Sequence, residues 1–338
     1  MNERKVFILS YFLGRVFFLG FGFSYLLKIC GKDAYLCALL GSILGALLIF
    51  SYGKLKDSLQ GDFLKKQSRF LKLLLTLIFF LFNILIYTQI AFIFQTFADS
   101  FFLLKSPIYY ISLPIPFLVY RACKNGLTTI SKVGEILMPL SLLLFFLAGL
   151  GLLKNFKVEA FLPVMTTNID SFLKGILAYT FYSTTPFFLL LNAETQKNKY
   201  VFKYLFSSLT VILIALFIIG ILGPNLIKIY RYPEYMALKK IKLFNFIEKV
   251  ENVISIAWLF DLFMTLSIAG NNLKECLPKK YLKITFPILL FILYLITLLC
   301  GIYYPKELLL YETLSILFGI FELIFFLLGF IYAKTIKH

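Results

Sequence analysis

Three charged side chains lie inside long apolar stretches of the sequence, and these are the first places to look for chemistry. Arg15 stands within the first stretch, and Asp261 and Glu322 stand midway along two later ones. A charge at membrane depth costs a few kcal/mol unless it is paired or hydrated, so such residues bind one another, a ligand or protons. For each, the sequence leaves two interpretations open: a structural ion pair, and a ligand or proton site.

The residue types that most enzyme chemistry needs are scarce. The only histidine is His338, the last residue, which argues against Ser-His and Cys-His catalysis and against His-ligated zinc. The five cysteines show neither CxxC nor metal-ligand spacing. The sequence therefore predicts no enzyme, no metal site and no cofactor.

The elements that must position the three charges are membrane helices. Of the 338 residues, 60% are hydrophobic and 15% charged, and the mean hydropathy is +0.88. A bilayer crossing needs about 20 apolar residues in a helix, because unpaired backbone groups are costly in lipid. We predict an all-α integral membrane protein with about ten spans, at 6–27, 34–52, 71–97, 107–121, 133–153, 172–191, 205–222, 250–269, 284–304 and 308–333.

The net charge of +17 is spread over the connections between these spans. Basic connections are typical of an orientation signal and of contact with anionic headgroups, and no nucleic-acid module accompanies them. More Lys and Arg residues fall on one side of the predicted spans than on the other. That excess predicts that both termini are cytoplasmic.

Two of the predicted spans contain residues that interrupt helices. The first has Gly14 next to Arg15 and then Gly20 and Gly22, and glycine permits local unwinding because it has no Cβ. The sixth has the hydroxyl-rich run 179–185 followed by Pro186, which removes an amide donor. We therefore predict that helices one and six are broken. The GxxxG of Gly41 and Gly45 in span two predicts close helix packing within the molecule.

Two long connections, 53–70 and 223–249, fall at equivalent places if the chain consists of two five-helix copies. We predict one polytopic membrane domain, 1–338, made of repeat one at 1–153 and repeat two at 170–338. An odd number of helices per copy makes the second copy enter from the opposite side, which gives an inverted repeat. In inverted-repeat folds span one neighbours span eight, so we expect Arg15 and Asp261 to pair.

Several stretches, taken in order, resemble the spore germination permeases, the B subunits of germinant receptors within the amino acid–polyamine–organocation superfamily. The likeness covers nearly the whole chain and rests on the order and spacing of the stretches. They are Gly31–Tyr35 (GKDAY), Tyr120–Gly126 (YRACKNG), Val133–Leu140 (VGEILMPL), Asn155–Phe156 and Phe161–Val164 (FLPV).

The resemblance implies a leucine-transporter-like five-plus-five fold and a nutrient sensor in the inner spore membrane. Such a sensor binds a small germinant, often an amino acid, in a midplane pocket between helices one, three, six and eight. It then signals to A- and C-type subunits. By helix position, the implied ligand-binding residues are Gly14, Arg15, Tyr87, Ala91, Thr180, Phe181, Ser183, Thr184, Trp258 and Asp261.

Three other functions stay open from the sequence. One is a non-catalytic scaffold for partners, which a pocket filled by bulky side chains would indicate. A secondary active transporter of amino acids or amines would use the same fold, and the sequence separates it poorly from a sensor. A membrane enzyme acting on lipids would need clustered acids or histidines at one membrane face, and the sequence has neither.

Overall fold

The computed structural model describes residues 3–59, 69–101, 107–190, 200–241, 250–303 and 307–336, and these residues are almost entirely helical with no strand among them. The first half of the chain contains helices α1 Glu3–Leu13, α2 Phe23–Cys30, α3 Ala34–Leu59, α4 Arg69–Phe101, α5 Ile108–Ser112, α6 Pro114–Cys123 and α7 Leu127–Leu153. A π-helical turn, Phe18–Gly22, stands between α1 and α2.

The second half contains helices α8 Ile169–Thr184, α9 Tyr200–Leu226, α10 Pro233–Leu238, α11 Val250–Cys276, α12 Leu282–Tyr303 and α13 Glu307–Ile336. Short 3₁₀ segments precede α8, at Val158–Phe161, and follow it, at Thr185–Leu190. The helix α10 is short and belongs to the connection between α9 and α11.

Each predicted span coincides with one helix or with two or three successive helical segments, except that residues 191 and 304 lie outside the described residues. By length and composition alone, six described segments could each cross a bilayer: Phe23–Lys54, Thr76–Phe101, Leu127–Leu153, Tyr200–Leu226, Glu251–Cys276 and Lys279–Gly301. Spans one, four and six are split into shorter pieces, so they do not form single long apolar helices. The chain is a multi-pass membrane protein, and the count of ten spans stays a prediction.

The helices α3 and α11 lie at the centre of two packed groups. Helix α3 packs against α8 and α9, and α11 packs against α1, α4, α6 and α7. A Cβ at Gly41 or Gly45 of α3 would collide with Tyr179 or Tyr204, respectively, so the GxxxG packs within the molecule, as predicted. In contrast, α7 and α12 expose rows of large apolar side chains, as helices facing lipid do.

Two of the stretches that carry the family resemblance meet in space. Asp33, between α2 and α3, is completely buried, and its carboxylate accepts hydrogen bonds from the backbone amides of Met165, Thr166 and Thr167 at 2.8–2.9 Å. The Tyr35 and Phe161 rings contact each other edge to face, with centroids 5.4 Å apart. These contacts fix the connection before α8 against the start of α3.

The described residues cover only part of the two long connections from which the repeat is predicted. Residues 60–68 of the first long connection and 242–249 of the second lie outside them. The described part of the second connection holds α10. The division into repeats 1–153 and 170–338 stays a prediction.

Candidate functional site

The first helix is broken where its glycines are. Leu19 (φ −75°, ψ 120°) and Gly20 (φ 107°, ψ −96°) leave the helical conformation, and α2 begins three residues later. The positive φ at Gly20 is a conformation that other residues rarely adopt. A Cβ at Gly22 would stand 2.1 Å from the Phe17 carbonyl oxygen. The predicted break in helix one is therefore confirmed, with Gly20 and Gly22 as the residues that require it.

Arg15 stands just before this break and is 2% exposed. Its Nη2 donates to both carboxylate oxygens of Asp261, at 2.6 and 2.7 Å, and to the Ser141 hydroxyl at 2.9 Å. Its Nη1 donates to the Tyr11 hydroxyl. The predicted Arg15–Asp261 pair is confirmed, and it joins the first helix to α7 and α11. Geometry this close is what makes a desolvated pair tolerable.

A cavity of about 50 Å³ opens beside Arg15 and the break, which is room for a few water molecules. It lies between the first helix, α7, α9, α10 and α11, and we name it the break cavity. Three polar side chains line it: Arg15, Glu234 and Ser141. The Ser141 hydroxyl already accepts a hydrogen bond from Arg15. The rest of the lining is apolar: Leu19, Phe145, Ala148, Gly149, Leu152, Ile214, Phe217, Ile218, Ala237, Leu238, Ile254, Ala257 and Trp258.

The ten residues implied by the resemblance are not all at this cavity. Arg15 and Trp258 line it, and Asp261 stands behind Arg15. Gly14 packs against Ser207 of α9 so closely that a Cβ would stand 2.3 Å from that hydroxyl. The others lie on α4 and α8, which contribute no lining residue: Tyr87, Ala91, Thr180, Phe181, Ser183 and Thr184. Their role in ligand binding stays a prediction.

On α4, Tyr87 and Ala91 are buried where this helix packs against α11. The Tyr87 ring stands 3.9 Å from where a Cβ on Gly270 would be. Its hydroxyl has no hydrogen-bond partner among the described residues. That distance is an ordinary contact; Val119 of α6, whose Cγ1 would stand 2.6 Å from the new Cβ, explains why a small residue occupies position 270. The Tyr87 hydroxyl has no assigned role.

The sixth predicted helix changes form at its proline. Helix α8 ends at Thr184, and a 3₁₀ segment that contains Pro186 follows directly. One hydroxyl before it satisfies a backbone carbonyl: Ser183 donates to the Thr180 oxygen at 2.9 Å. Local side-chain hydrogen bonds of this kind compensate for a disturbed helical ladder. The predicted irregularity is present as a change from α to 3₁₀ geometry.

Glu322 of α13 meets this change of helix. Its Oε1 accepts hydrogen bonds from the Thr184 and Thr185 hydroxyls, at 2.6 and 2.7 Å, while Oε2 has no partner among the described residues. The side chain is 2% exposed. The sequence marked Glu322 as an interior charge without naming a partner. The structure supplies hydroxyl donors from α8.

Glu234 is the functional candidate that sequence reasoning missed. It lies in the first turn of α10, where an acidic residue is the ordinary complement to a helix N-terminus, so no pattern marks it. The structure buries it to 2% exposure and brings it to the break in helix one, where Oε1 accepts the Gly20 amide at 2.7 Å. Burial raises the pKa of Glu234 to about 8. No group of three His, Cys, Asp or Glu residues that could hold a metal ion occurs in the described part of the chain.

Comparison with solved structures shows that the chain as a whole has a known fold. The chain resembles a Na⁺-coupled sialic acid symporter in its substrate-bound outward-open state, with a TM-score of 0.62, 11% identity, and coverage of 97% of this chain and 79% of that one. It also resembles MhsT in complex with L-phenylalanine, with a TM-score of 0.54, 16% identity, and coverage of 90% and 79%. At these identities the likeness shows the fold, which is the leucine-transporter-like one that the resemblance implied.

Sequence relatives come from Bacillus subtilis (strain 168). The chain is 24% identical over 189 residues to the putative spore germination protein YfkT, a match that covers 55% of this chain and 52% of that relative's own length. It is 20% identical over 273 residues to the spore germination protein YndE, covering 76% and 75%. The family described as spore germination protein matches residues 6–309. The chain therefore belongs to this spore permease family, as a multi-pass membrane protein with the fold of secondary transporters.

Proposed function

We propose that the chain is the membrane subunit of a spore germinant receptor, which binds a small germinant, an amino acid, and signals to partner subunits. The observation that carries the proposal is the break cavity. It combines an interrupted helix, a buried guanidinium and a buried carboxylate with a mostly apolar wall. Small-molecule sites in proteins have this composition: an apolar lining with few, fixed polar groups. Membership of the germination family supports the biological role.

The size of the cavity supports a sensing mechanism. About 50 Å³ is too little for a whole amino acid, so binding requires the surrounding elements to separate. A ligand that fits only the wider arrangement shifts the population toward it. Arg15 and Trp258 line this site, and Asp261 and Gly14 hold the first helix in place behind it.

Aromatic contacts offer a route from the break in helix one to helices α8 and α13. The Phe17 ring lies beside Phe318 and Tyr182, with centroids 5.1 and 6.1 Å away. A movement of Phe17 at the break would therefore press on α8 and α13, the helices that carry Thr184 and Glu322. The predicted residues of α8 lie on one of these helices, and their ligand-binding role remains a prediction.

The proposal includes the partners and the location that the resemblance implies. These are A- and C-type germinant receptor subunits, the inner spore membrane, and cytoplasmic termini. Co-purification of the A- and C-type subunits with a tagged version of this chain from spore membranes tests the partners. Their absence from the purified complex would refute this part of the proposal.

Narrowing the break cavity tests the site. Ala257 lines the cavity, whereas its neighbour Ile256 is 38% exposed and faces away from it. We expect spores carrying Ala257→Leu to lose germination in an amino-acid mixture, and spores carrying Ile256→Phe to germinate normally, at equal protein levels in the membrane. Unchanged germination of spores that lack the gene altogether would contradict the proposed function.

A secondary amino acid or amine transporter is the second candidate. The fold supports it, since one solved neighbour is a Na⁺-coupled sialic acid symporter and the other holds L-phenylalanine. Vesicles that contain only this purified chain separate the two functions. Binding of labelled amino acids without uptake supports the receptor. Uptake into the vesicles supports the transporter.

A further inference from the structure

Glu234 is a buried acid, and only one of its two carboxylate oxygens accepts a hydrogen bond from the described residues. Oε1 accepts the amide of Gly20, which the break in helix one has freed from the helical ladder. Oε2 has no hydrogen-bond partner among the described residues, although the side chain is 2% exposed and lines the break cavity. A buried polar atom without a partner is costly, and a ligand group is one way to satisfy it.

The other charge at the cavity wall is already matched. Arg15 gives its Nη2 to both oxygens of Asp261, so this pair presents no net charge to the cavity. When Glu234 is ionised, the uncompensated charge at the break cavity is therefore negative. The wall that faces it is apolar and aromatic, and includes Phe145, Phe217 and Trp258.

We propose that the break cavity takes a cationic amine with a small apolar body, whose ammonium group donates to Oε2 of Glu234. The inference rests on the proposed function and deepens it by naming the chemical class of the ligand. An ammonium is the group that a desolvated carboxylate binds most strongly, because the hydrogen bond is assisted by charge. An ammonium on a branched aliphatic chain offers a charged donor to Oε2 and an apolar body to the apolar wall.

The same carboxylate links the ligand to the break. Because Oε1 holds Gly20 while Oε2 receives the amine, occupation of the cavity acts directly on the backbone turn between α1 and α2. Glu234 also brings α10 into contact with this turn. Amine binding thus fixes α10, the break and the ligand through one side chain.

Three related probes test which end of the ligand is recognised. L-Valine carries both an ammonium and a carboxylate, isobutylamine lacks the carboxylate, and isovalerate lacks the amine. We expect calorimetry on the full-length protein in lipid nanodiscs to detect L-valine and isobutylamine and to detect no isovalerate. Equal binding of isovalerate and isobutylamine, or no binding of isobutylamine, would overturn the inference.

A substitution at Glu234 tests the residue itself. Glu234→Gln keeps an oxygen that can accept the Gly20 amide and has the same shape, so we expect the protein to elute as the wild type does. Isobutylamine should bind this variant about tenfold to a hundredfold more weakly, the loss of one hydrogen bond to a charged group. An acid outside the cavity serves as the control: Glu312→Gln, whose side chain pairs at the surface with Lys174 at 3.7 Å. Unchanged isobutylamine binding in Glu234→Gln would overturn the inference.

A spore experiment separates this inference from the function on which it rests. If spores without the gene fail to germinate in a nutrient mixture, while spores with Glu234→Gln germinate normally in response to amines, the amine site is wrong and the receptor stands. If spores without the gene germinate normally, the receptor function itself is wrong, whatever the calorimetry shows.

Discussion

The break in helix one and the change from α to 3₁₀ geometry in helix six each meet a buried carboxylate, and the two carboxylates are held in different ways. At helix one, Asp261 is fully buried and receives the Arg15 guanidinium on both oxygens. At helix six, Glu322 receives two threonine hydroxyls on one oxygen, and its other oxygen has no partner among the described residues. One carboxylate has a cation, and the other has neutral donors.

The difference indicates which break is locked and which can rearrange. Arg15 joins the first helix, α7 and α11 through charge-assisted hydrogen bonds, which are roughly twice as strong as neutral ones. Moving any of these elements apart strands a charge in a dry environment. The hydroxyl donors at Glu322 leave no opposite charge stranded when they separate. We therefore expect the Arg15 cluster to be structural and the Glu322 contact to be the more easily exchanged one.

The largest effect should come from breaking the ion pair. Asp261→Asn leaves Arg15 as a buried, uncompensated cation, so we expect a loss of about 3–5 kcal/mol in the free energy of unfolding. Urea denaturation of the detergent-solubilised protein measures it. A loss below about 1 kcal/mol would place the pair among weak surface-like contacts and end the structural interpretation.

A double substitution is the control for that measurement. Arg15→Met together with Asp261→Leu removes both charges and keeps apolar bulk, and such replacements are often neutral or stabilising. We expect the double variant to be more stable than Asp261→Asn alone. If it is stable but insensitive to germinant in spores, the pair also serves the response.

The backbone at the break should give the next largest effect. In Gly20→Ala, the new Cβ would stand 2.9 Å from Ile93 in a conformation with φ of +107°, so we expect a loss of about 1–3 kcal/mol. Gly149→Ala is the matched control, because its Cβ meets Phe217 at an ordinary 3.7 Å inside a helix. That change should stabilise α7 by about 0.5–1 kcal/mol. Equal effects at the two glycines would mean that the break carries no backbone constraint.

The pH dependence of amine binding should distinguish Glu234 from Asp261 and Glu322. Its pKa is about 8, so the carboxyl is mostly protonated at lower pH and cannot pair with an ammonium. Isobutylamine affinity should therefore rise about tenfold per pH unit as pH approaches 8 from below, and level off above it. Calorimetry across this range measures it, and Glu234→Gln should give a flat profile. The other charged or titratable groups around α10 are Arg15, Arg231, Tyr232, Tyr235, Lys239 and Glu251.

The smallest effect should come from Glu322. Glu322→Gln keeps an oxygen that can accept from Thr184 and Thr185, so its cost in the free energy of unfolding should be smaller than that of Asp261→Asn by about 2 kcal/mol or more. The same denaturation experiment compares the two. Similar losses at both positions would show that Glu322 has a cationic partner, and the contrast drawn between the breaks would fail.

The sequence was sufficient wherever a single residue carries the constraint. Gly20 and Pro186 mark the two irregular helices because only glycine tolerates the positive φ and only proline lacks the amide. Arg15 and Asp261 were predicted to pair because a lone charge in lipid is too costly to leave unmatched.

The position of the cavity could not be predicted in this way. The implied pocket lay between helices one, three, six and eight, whereas the break cavity lies between the first helix, α7, α9, α10 and α11. Whether facing side chains leave a space depends on packing across five elements that are far apart in sequence. Phe181 packs against Gly319 of α13, a contact that no local pattern reveals.

By itself, the sequence determined that the chain crosses a bilayer as helices and that two of these helices are irregular at known residues. It also determined which charges must be buried. These follow from local chemistry: hydrophobic length, missing Cβ atoms or amides, and the cost of a charge in lipid. Only the tertiary structure decided that Glu234 reaches the break in helix one and that Glu322 meets threonines of α8. The sequence predicts that an acid in a short connecting helix is exposed to solvent, because its burial depends on how distant segments fold over it.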